Sequence, residues 1–319
     1  MRWLVLALAV VTVGPLVSCL VPRTATAQTT LTPASPSSRS VNAVFASPQP
    51  VTIEAYSGPQ QDPVISPDGQ YLFFDSHSDN SSSSALHWAR RLDYKTFKFM
   101  GEVQGVNFSG EMTLRGNYDL AHNFYFVSSR FRTSCGMIAQ GVFRDGTVTD
   151  VAPVKGLCAP PPPPGDINVT FDVAITPDGK TLYYTDATFN RRGPQTARIA
   201  VATKNADGSF MRHPGSDPLF KNVNGLGPLV FNSAPTSDGL AFFFTPGITS
   251  KGPGGIYVAK RSSTAEPFGV PTRIPDVDNV TADGFPEMGA ISPDGAHLYF
   301  HRVLGKASSQ IYVLTKVLK

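Results

Sequence analysis

Long apolar runs are nearly absent from this 319-residue chain. Past the opening segment, Trp3 to Val17, no stretch approaches the roughly 20 residues that a membrane-spanning helix needs. Helical periodicity is missing as well, since no later window repeats apolar residues at three- and four-residue steps. A helical bundle is therefore excluded. Charge of one sign is also scarce: 27 Lys and Arg stand against 24 Asp and Glu, the net charge is +3, and the basic residues are scattered. Without a basic run or an RNA-binding motif, nucleic acid is not an expected partner.

Histidine and cysteine are few, six and three. His77, His87, His122 and His213 are dispersed, and no H-E-x-x-H occurs. His297 and His301 form H-x-x-x-H, but the run between them reads as strand, which separates the rings by roughly 13 Å. Packing is the expected role of both, and no metal site is expected. G-x-S-x-G and a Gly-rich phosphate loop are missing too, so neither a serine hydrolase elbow nor a nucleotide cofactor is indicated.

Turns and aromatics are plentiful, with 28 Gly, 28 Pro and 21 Phe. Ser66-Pro67-Asp68-Gly69 precedes Leu72-Phe73-Phe74, and Thr176-Pro177-Asp178-Gly179 precedes Leu182-Tyr183-Tyr184. Ser292-Pro293-Asp294-Gly295 leads in the same way to Leu298-Tyr299-Phe300. Thr236-Ser237-Asp238-Gly239 before Phe242-Phe243-Phe244 has lost its proline, and Asp119 to Asn123 before Phe124-Tyr125-Phe126 is a degenerate copy. Asp-Gly between two apolar runs is a hairpin signal, because Gly takes positive φ freely and Asp bonds its own backbone. The last aromatics fall at 74, 126, 184, 244 and 300, spaced 52, 58, 60 and 56 apart. With about four strands per unit, that period predicts an all-β, five-bladed β-propeller of four-stranded antiparallel blades.

The propeller is expected over 41–319, with Pro50 to Tyr56 supplying the outer strand of the last blade and closing the ring. A closed ring of this kind is expected to be monomeric. The first 27 residues read as a secretory signal ending at Ala25-Thr26-Ala27. Leu16-Val17-Ser18-Cys19 is a competing lipobox that ends the signal at 18 and makes Cys19 a lipidation candidate. Residues 28–40 form a flexible linker poor in anything to bury. The protein is thus expected outside the cytoplasm: periplasmic, tethered to the outer membrane by a lipid anchor, or secreted. Cys135 and Cys158 remain as an even pair, and a disulfide between them would add roughly 3 kcal/mol.

The words D-x-x-I-S/T-P-D-G-x-x-L-Y/F-Y/F, at Asp62 to Phe74 and Asp172 to Tyr184, resemble TolB-like β-propeller repeats of exported bacterial proteins. That resemblance implies a non-catalytic scaffold that binds a protein or another ligand at the channel rim. Six residues before each turn aspartate stand Asp62, Asp172, Asn232 and Met288, the last beside Glu287, and Glu111 is the nearest counterpart in the second unit. Asp62, Glu111, Asp172, Asn232 and Glu287 are therefore the candidate ligand-binding ring, in contact with a protein, a glycan, a small molecule or a cation. The alternative is that these side chains cap strand ends or bond the backbones of neighbouring blades. Five-bladed propellers include arabinan-degrading glycosidases, and that likeness implies a glycan-active hydrolase using Asp62, Asp172 and Glu287. Those enzymes call for a glutamate acid on the fourth blade, where this chain has Asn232.

Overall fold

The computed structural model describes residues 43–76, 83–133, 136–158, 162–249, 252–278, 280, 286–304 and 308–318. The signal and linker segments, Cys19 and Cys135 lie outside the described residues. Among the described residues no helix is long and apolar enough to cross a membrane.

Five antiparallel sheets follow one another along the chain, each starting at the channel and stepping outward. Their innermost strands are Gln61–Ile65, Thr113–Tyr118, Ile167–Ile175, Val230–Pro235 and Pro286–Ile291. In four of them the residues near the end are small or β-branched (Val64-Ile65, Val173-Ala174-Ile175, Ser233-Ala234 and Gly289-Ala290-Ile291), where the strands crowd together at the axis. Three then turn through the S/T-P-D-G hairpin, the fourth blade through Thr236-Ser237-Asp238-Gly239 and the second through Asp119 to Asn123. Ser66 Oγ donates to Asp68 Oδ1 at 2.5 Å and accepts the Tyr71 N–H at 2.9 Å, while Asp68 accepts the Gln70 N–H. Thr176, Thr236 and Ser292 repeat the arrangement with Asp178, Asp238 and Asp294. In the degenerate copy one residue takes both roles, as Asp119 Oδ1 accepts the N–H groups of Ala121 and Asn123.

The aromatic second strands explain why the blades stack. Side chains alternate across a strand, so Leu72 and Phe74 pack against the fifth blade while Phe73 packs against the second. Tyr125, Tyr183, Phe243 and Tyr299 likewise reach into the cluster shared with the next blade. The core is thus five inter-blade clusters, one of them joining Tyr299 and Ile311 of the last blade to Leu72 and Phe97 of the first.

Two details differ from expectation. Ala43–Pro50, and not Pro50 to Tyr56, pairs as the outer strand of the last blade with Ser309–Leu318. The next residues, Thr52–Glu54, add a fifth, parallel strand to the first blade beside Thr96–Glu102. An edge strand has one partner and no two-sided pattern to fix its register, whereas Val51 and Ile53 are buried in the first/fifth-blade cluster. Among the described residues there are also two single-turn α-helices, Ser216–Leu219 and Lys221–Asn224, between the third and fourth blades. One turn is too short to leave a periodic trace in sequence.

Candidate active site at the channel

Every innermost strand is bulged at one level. The register slips between Gln61 and Val64, Leu114 and Asn117, Phe171 and Ala174, Phe231 and Ala234, and Met288 and Ala290. A bulge re-aims the extra side chain. The residues at the slip, Asp62, Arg115, Asp172 and Asn232, have φ of 45°, 45°, 54° and 63°. Asp and Asn enter this left-handed region with modest strain, but Arg does so only when its surroundings hold it there. Gly289 sits at the fifth slip, where a Cβ would meet the Pro63 carbonyl oxygen at 2.5 Å.

Arg115 is the second-blade member that the sequence pattern did not reveal. Glu111 precedes the strand and instead accepts a short hydrogen bond from the Ser129 hydroxyl. Arg115 is 2% exposed and reaches across the axis. Its Nη2 donates to the carbonyls of Ser233 and Gly289, both at 3.2 Å, and its Nη1 to that of Met288 at 3.4 Å. Nη1 stands 3.6 Å from Asp62 Oδ1, and Nε stands 3.8 Å from Asp172 Oδ1. Nε and Asp62 Oδ1 are buried without a hydrogen bond, so these are charge pairings across a gap. The guanidinium thus takes the central place among the acids that a bound cation would need. Among the described residues no group of three or more His, Cys, Asp or Glu has the geometry to hold a metal ion.

Asn232 ties two acids together. Its N–H donates to Asp172 Oδ2 at 2.9 Å, and its Nδ2 donates to Glu287 Oε2 at 3.3 Å. Thr185 Oγ1 also donates to Asp172 Oδ2, at 3.2 Å. In the fifth blade Met288 is turned into the core and its N–H donates to Thr245 Oγ1, which leaves Glu287 to join the ring. His301, opposite Glu287 in the sheet, accepts the Asp62 N–H on Nδ1 at 3.3 Å. Expected only to pack, His301 therefore supports the site, while His297 stacks on Tyr94.

The structure thus gathers Asp62, Asp172, Asn232 and Glu287 and leaves Glu111 apart. Burial, with Asp62 as the next cause, lifts the Glu287 carboxyl from 4.5 to about 8, against the opposing Asn232 amide. Burial lifts Asp172 from 3.8 to about 6, held down chiefly by Arg115. Asp62 is the most accessible of the three, with a side chain 17% exposed. On the turn side, Arg115 lines a narrow cavity of about 60 Å³ with Pro67, Pro177 and Pro293, and none of the acids does.

No protein-family model matches the chain, and no curated protein matches it significantly. Solved structures do match. Zg3597, a family 117 glycoside hydrolase produced by the marine bacterium Zobellia galactanivorans, aligns with a TM-score of 0.54 at 12% identity, over 86% of this chain and 91% of its own. Another glycoside hydrolase aligns with a TM-score of 0.54 at 10% identity over 83% and 90%. A thermostable family-43 glycoside hydrolase gives 0.50 at 11% over 83% and 92%. What these share with the chain is the propeller fold. The TolB-like resemblance finds no family model behind it. The expectation of a non-catalytic scaffold is corrected on the same finding, because the three propellers aligned above are glycoside hydrolases.

Proposed function

We propose that the protein is a glycan-active hydrolase whose general acid is Glu287. The observation that carries this reading is a buried carboxyl that keeps its proton up to about pH 8 beside two further channel acids from different blades. Glycoside hydrolysis needs one acid to protonate the leaving oxygen and one carboxylate to activate water, with their protonation pushed apart by environment. Glu287 supplies the proton to the glycosidic oxygen as the C–O bond breaks. Asp62, the most accessible of the three, takes a proton from the attacking water. Asp172, held on Oδ2 by Asn232 and Thr185, orients the group and tunes its charge. A glutamate on the fifth blade does the work of the fourth-blade acid that Asn232 replaces, and the Asn232 amide holds it. The propeller likeness to glycoside hydrolases supports this assignment at the level of fold.

The test is product release from a polysaccharide and aryl-glycoside panel by wild type, Asp62→Asn and Glu287→Gln. Each variant should lose about 10²- to 10⁴-fold in rate. An aryl glycoside with a good leaving group should restore Glu287→Gln but not Asp62→Asn, because only the first lacks the proton for departure. A wild type inactive on the whole panel, or variants that retain full rate, would refute the reading. We further infer an exported protein from the apolar opening segment, and a Cys135–Cys158 bridge. In support of the bridge, Cys158 is disulfide-bonded.

A further inference from the structure

We propose that Arg115 is a positioning residue that sorts the three channel acids into two carboxylates and one proton donor, because backbone carbonyls fix its charge within ion-pair range of Asp62 and Asp172 and outside that range of Glu287. The assignment of the proton donor rests on the hydrolase reading; the sorting itself does not.

All three hydrogen bonds of the guanidinium go to main-chain carbonyls, those of Ser233 on the fourth blade and of Met288 and Gly289 on the fifth. The acids therefore do not decide where the charge sits. Carbonyl acceptors are neutral and leave the cation uncompensated. Compensation comes from Asp62 at 3.6 Å and Asp172 at 3.8 Å, the only acids in ion-pair range of Arg115 among the described residues. One cation stands against two carboxylates. A third ionised acid would leave two uncompensated negative charges in a water-poor centre, where like charges repel strongly. The acid left over is Glu287, which receives a neutral amide from Asn232 in place of the guanidinium.

The neighbours facing Glu287 are consistent with this. Asp62 comes from the first blade, Arg115 from the second, Asp172 from the third and Asn232 from the fourth. His301 lies opposite on the adjacent strand with Nδ1 accepting the Asp62 N–H, so that nitrogen carries no proton in this arrangement. Among these Arg115 carries the full positive charge, and from beyond ion-pair range it draws the Glu287 carboxyl down less strongly than Asp62 and Asp172 push it up. The strained φ of 45° at Arg115 is what brings a second-blade side chain across to the carbonyls of the fourth and fifth.

The experiment reads protonation directly, through the infrared C=O stretch of protonated carboxyls, titrated in wild type, Arg115→Lys and Arg115→Gln. Wild type should show one channel carboxyl protonated at pH 7, missing from Glu287→Gln. Arg115→Lys keeps the charge and should keep that pattern. Arg115→Gln keeps donors but loses the charge, and should show a second protonated carboxyl at pH 7 that disappears with Asp62→Asn or Asp172→Asn. In that variant the acidic limb of kcat/KM should rise by at least one pH unit. A purely structural role predicts instead that Lys and Gln, which both lose the fork, change the protonation pattern alike. Arg115→Gln with a single protonated carboxyl overturns the proposal. So does a wild type that shows two or none, a result that requires no variant at Arg115 to fold. A glycan panel without turnover would end the hydrolase reading and leave the infrared result standing.

Discussion

Replacing Glu287 by Gln should make the protein more stable in base and leave it unchanged in acid. The group is buried, and its carboxyl is raised from 4.5 to about 8. The folded state therefore holds this proton more tightly than the unfolded chain does. The stability tied to it is fully present below about pH 4.5 and is lost as pH rises through about 8. At about 1.4 kcal/mol for each pH unit, the loss approaches roughly 5 kcal/mol. Gln resembles the protonated acid in shape, and its carbonyl still accepts from Asn232 Nδ2. The variant and wild type should thus agree at pH 5 and diverge by roughly 4 kcal/mol at pH 8 to 9, or on the order of 10 °C in Tm for a domain of this size. Differential scanning calorimetry at five pH values between 5 and 9 reads this directly. Asp172, raised to about 6, adds its own loss of stability as pH rises through that value, and His87, lowered by burial, acts in the opposite sense. His87 is the same in each protein and leaves the difference curve, whereas Asp172 interacts with Glu287 and its own titration shifts when that charge is removed. A difference that stays constant with pH would refute the reasoning.

Phe242→Ala empties a site touched by the rings of Tyr183, Phe220, Phe244 and Phe268. Chemical denaturation should show a loss of about 3–5 kcal/mol, and a cost below 1 kcal/mol would mean that the third/fourth-blade cluster collapses onto the void. Asp178→Ala removes the acceptor of the Thr176 hydroxyl and the Lys180 N–H, a loss of about 1–2 kcal/mol at pH 7. The Thr176 hydrogen bond holds the Asp178 carboxyl below its ordinary value, so this gap should be full above that value and close as pH falls through the lowered one. A gap that persists in acid would show that the turn depends on something other than the carboxylate.

The blades were legible in sequence because their defining contacts are local. Ser66, Asp68 and Gly69 satisfy one another within a single hairpin, and the aromatic strand follows within a few residues. Arg115 was not legible when the second unit was anchored on Glu111. Four residues separate Ser66 from Asp62, Thr176 from Asp172 and Thr236 from Asn232, and the same four separate Asp119 from Arg115. Counting from the first residue of the turn would have found it, but Asp119 hid that position by merging the Ser/Thr and Asp roles. His301 was beyond any such count, since its contact with Asp62 joins the two ends of the chain. The outer strand at Ala43–Pro50 was misplaced for a related reason: pairing at a sheet edge leaves no two-sided pattern to read.

One backbone bend, repeated five times, presents five positions to the axis, and this chain gives them different chemistry: Asp62, Arg115, Asp172, Asn232 and, beside the fifth slip, Glu287. Stability alone would not select that set. Buried ion pairs seldom repay their desolvation against well-packed apolar residues, and a non-glycine residue such as Arg115 held at φ 45° adds backbone strain. Glu287 and Asp172 are also raised well above ordinary carboxyl values, so each is kept where its ionised form costs stability. Strain, buried charge and displaced protonation coincide at one level of the channel, whereas the turn aspartates Asp178, Asp238 and Asp294 are lowered by bonds that stabilise their hairpins. Two classes of acid thus stand on one repeated scaffold: the turn aspartates, eased by their surroundings, build the hairpins, and the channel acids, strained by theirs, are those the proposed chemistry uses.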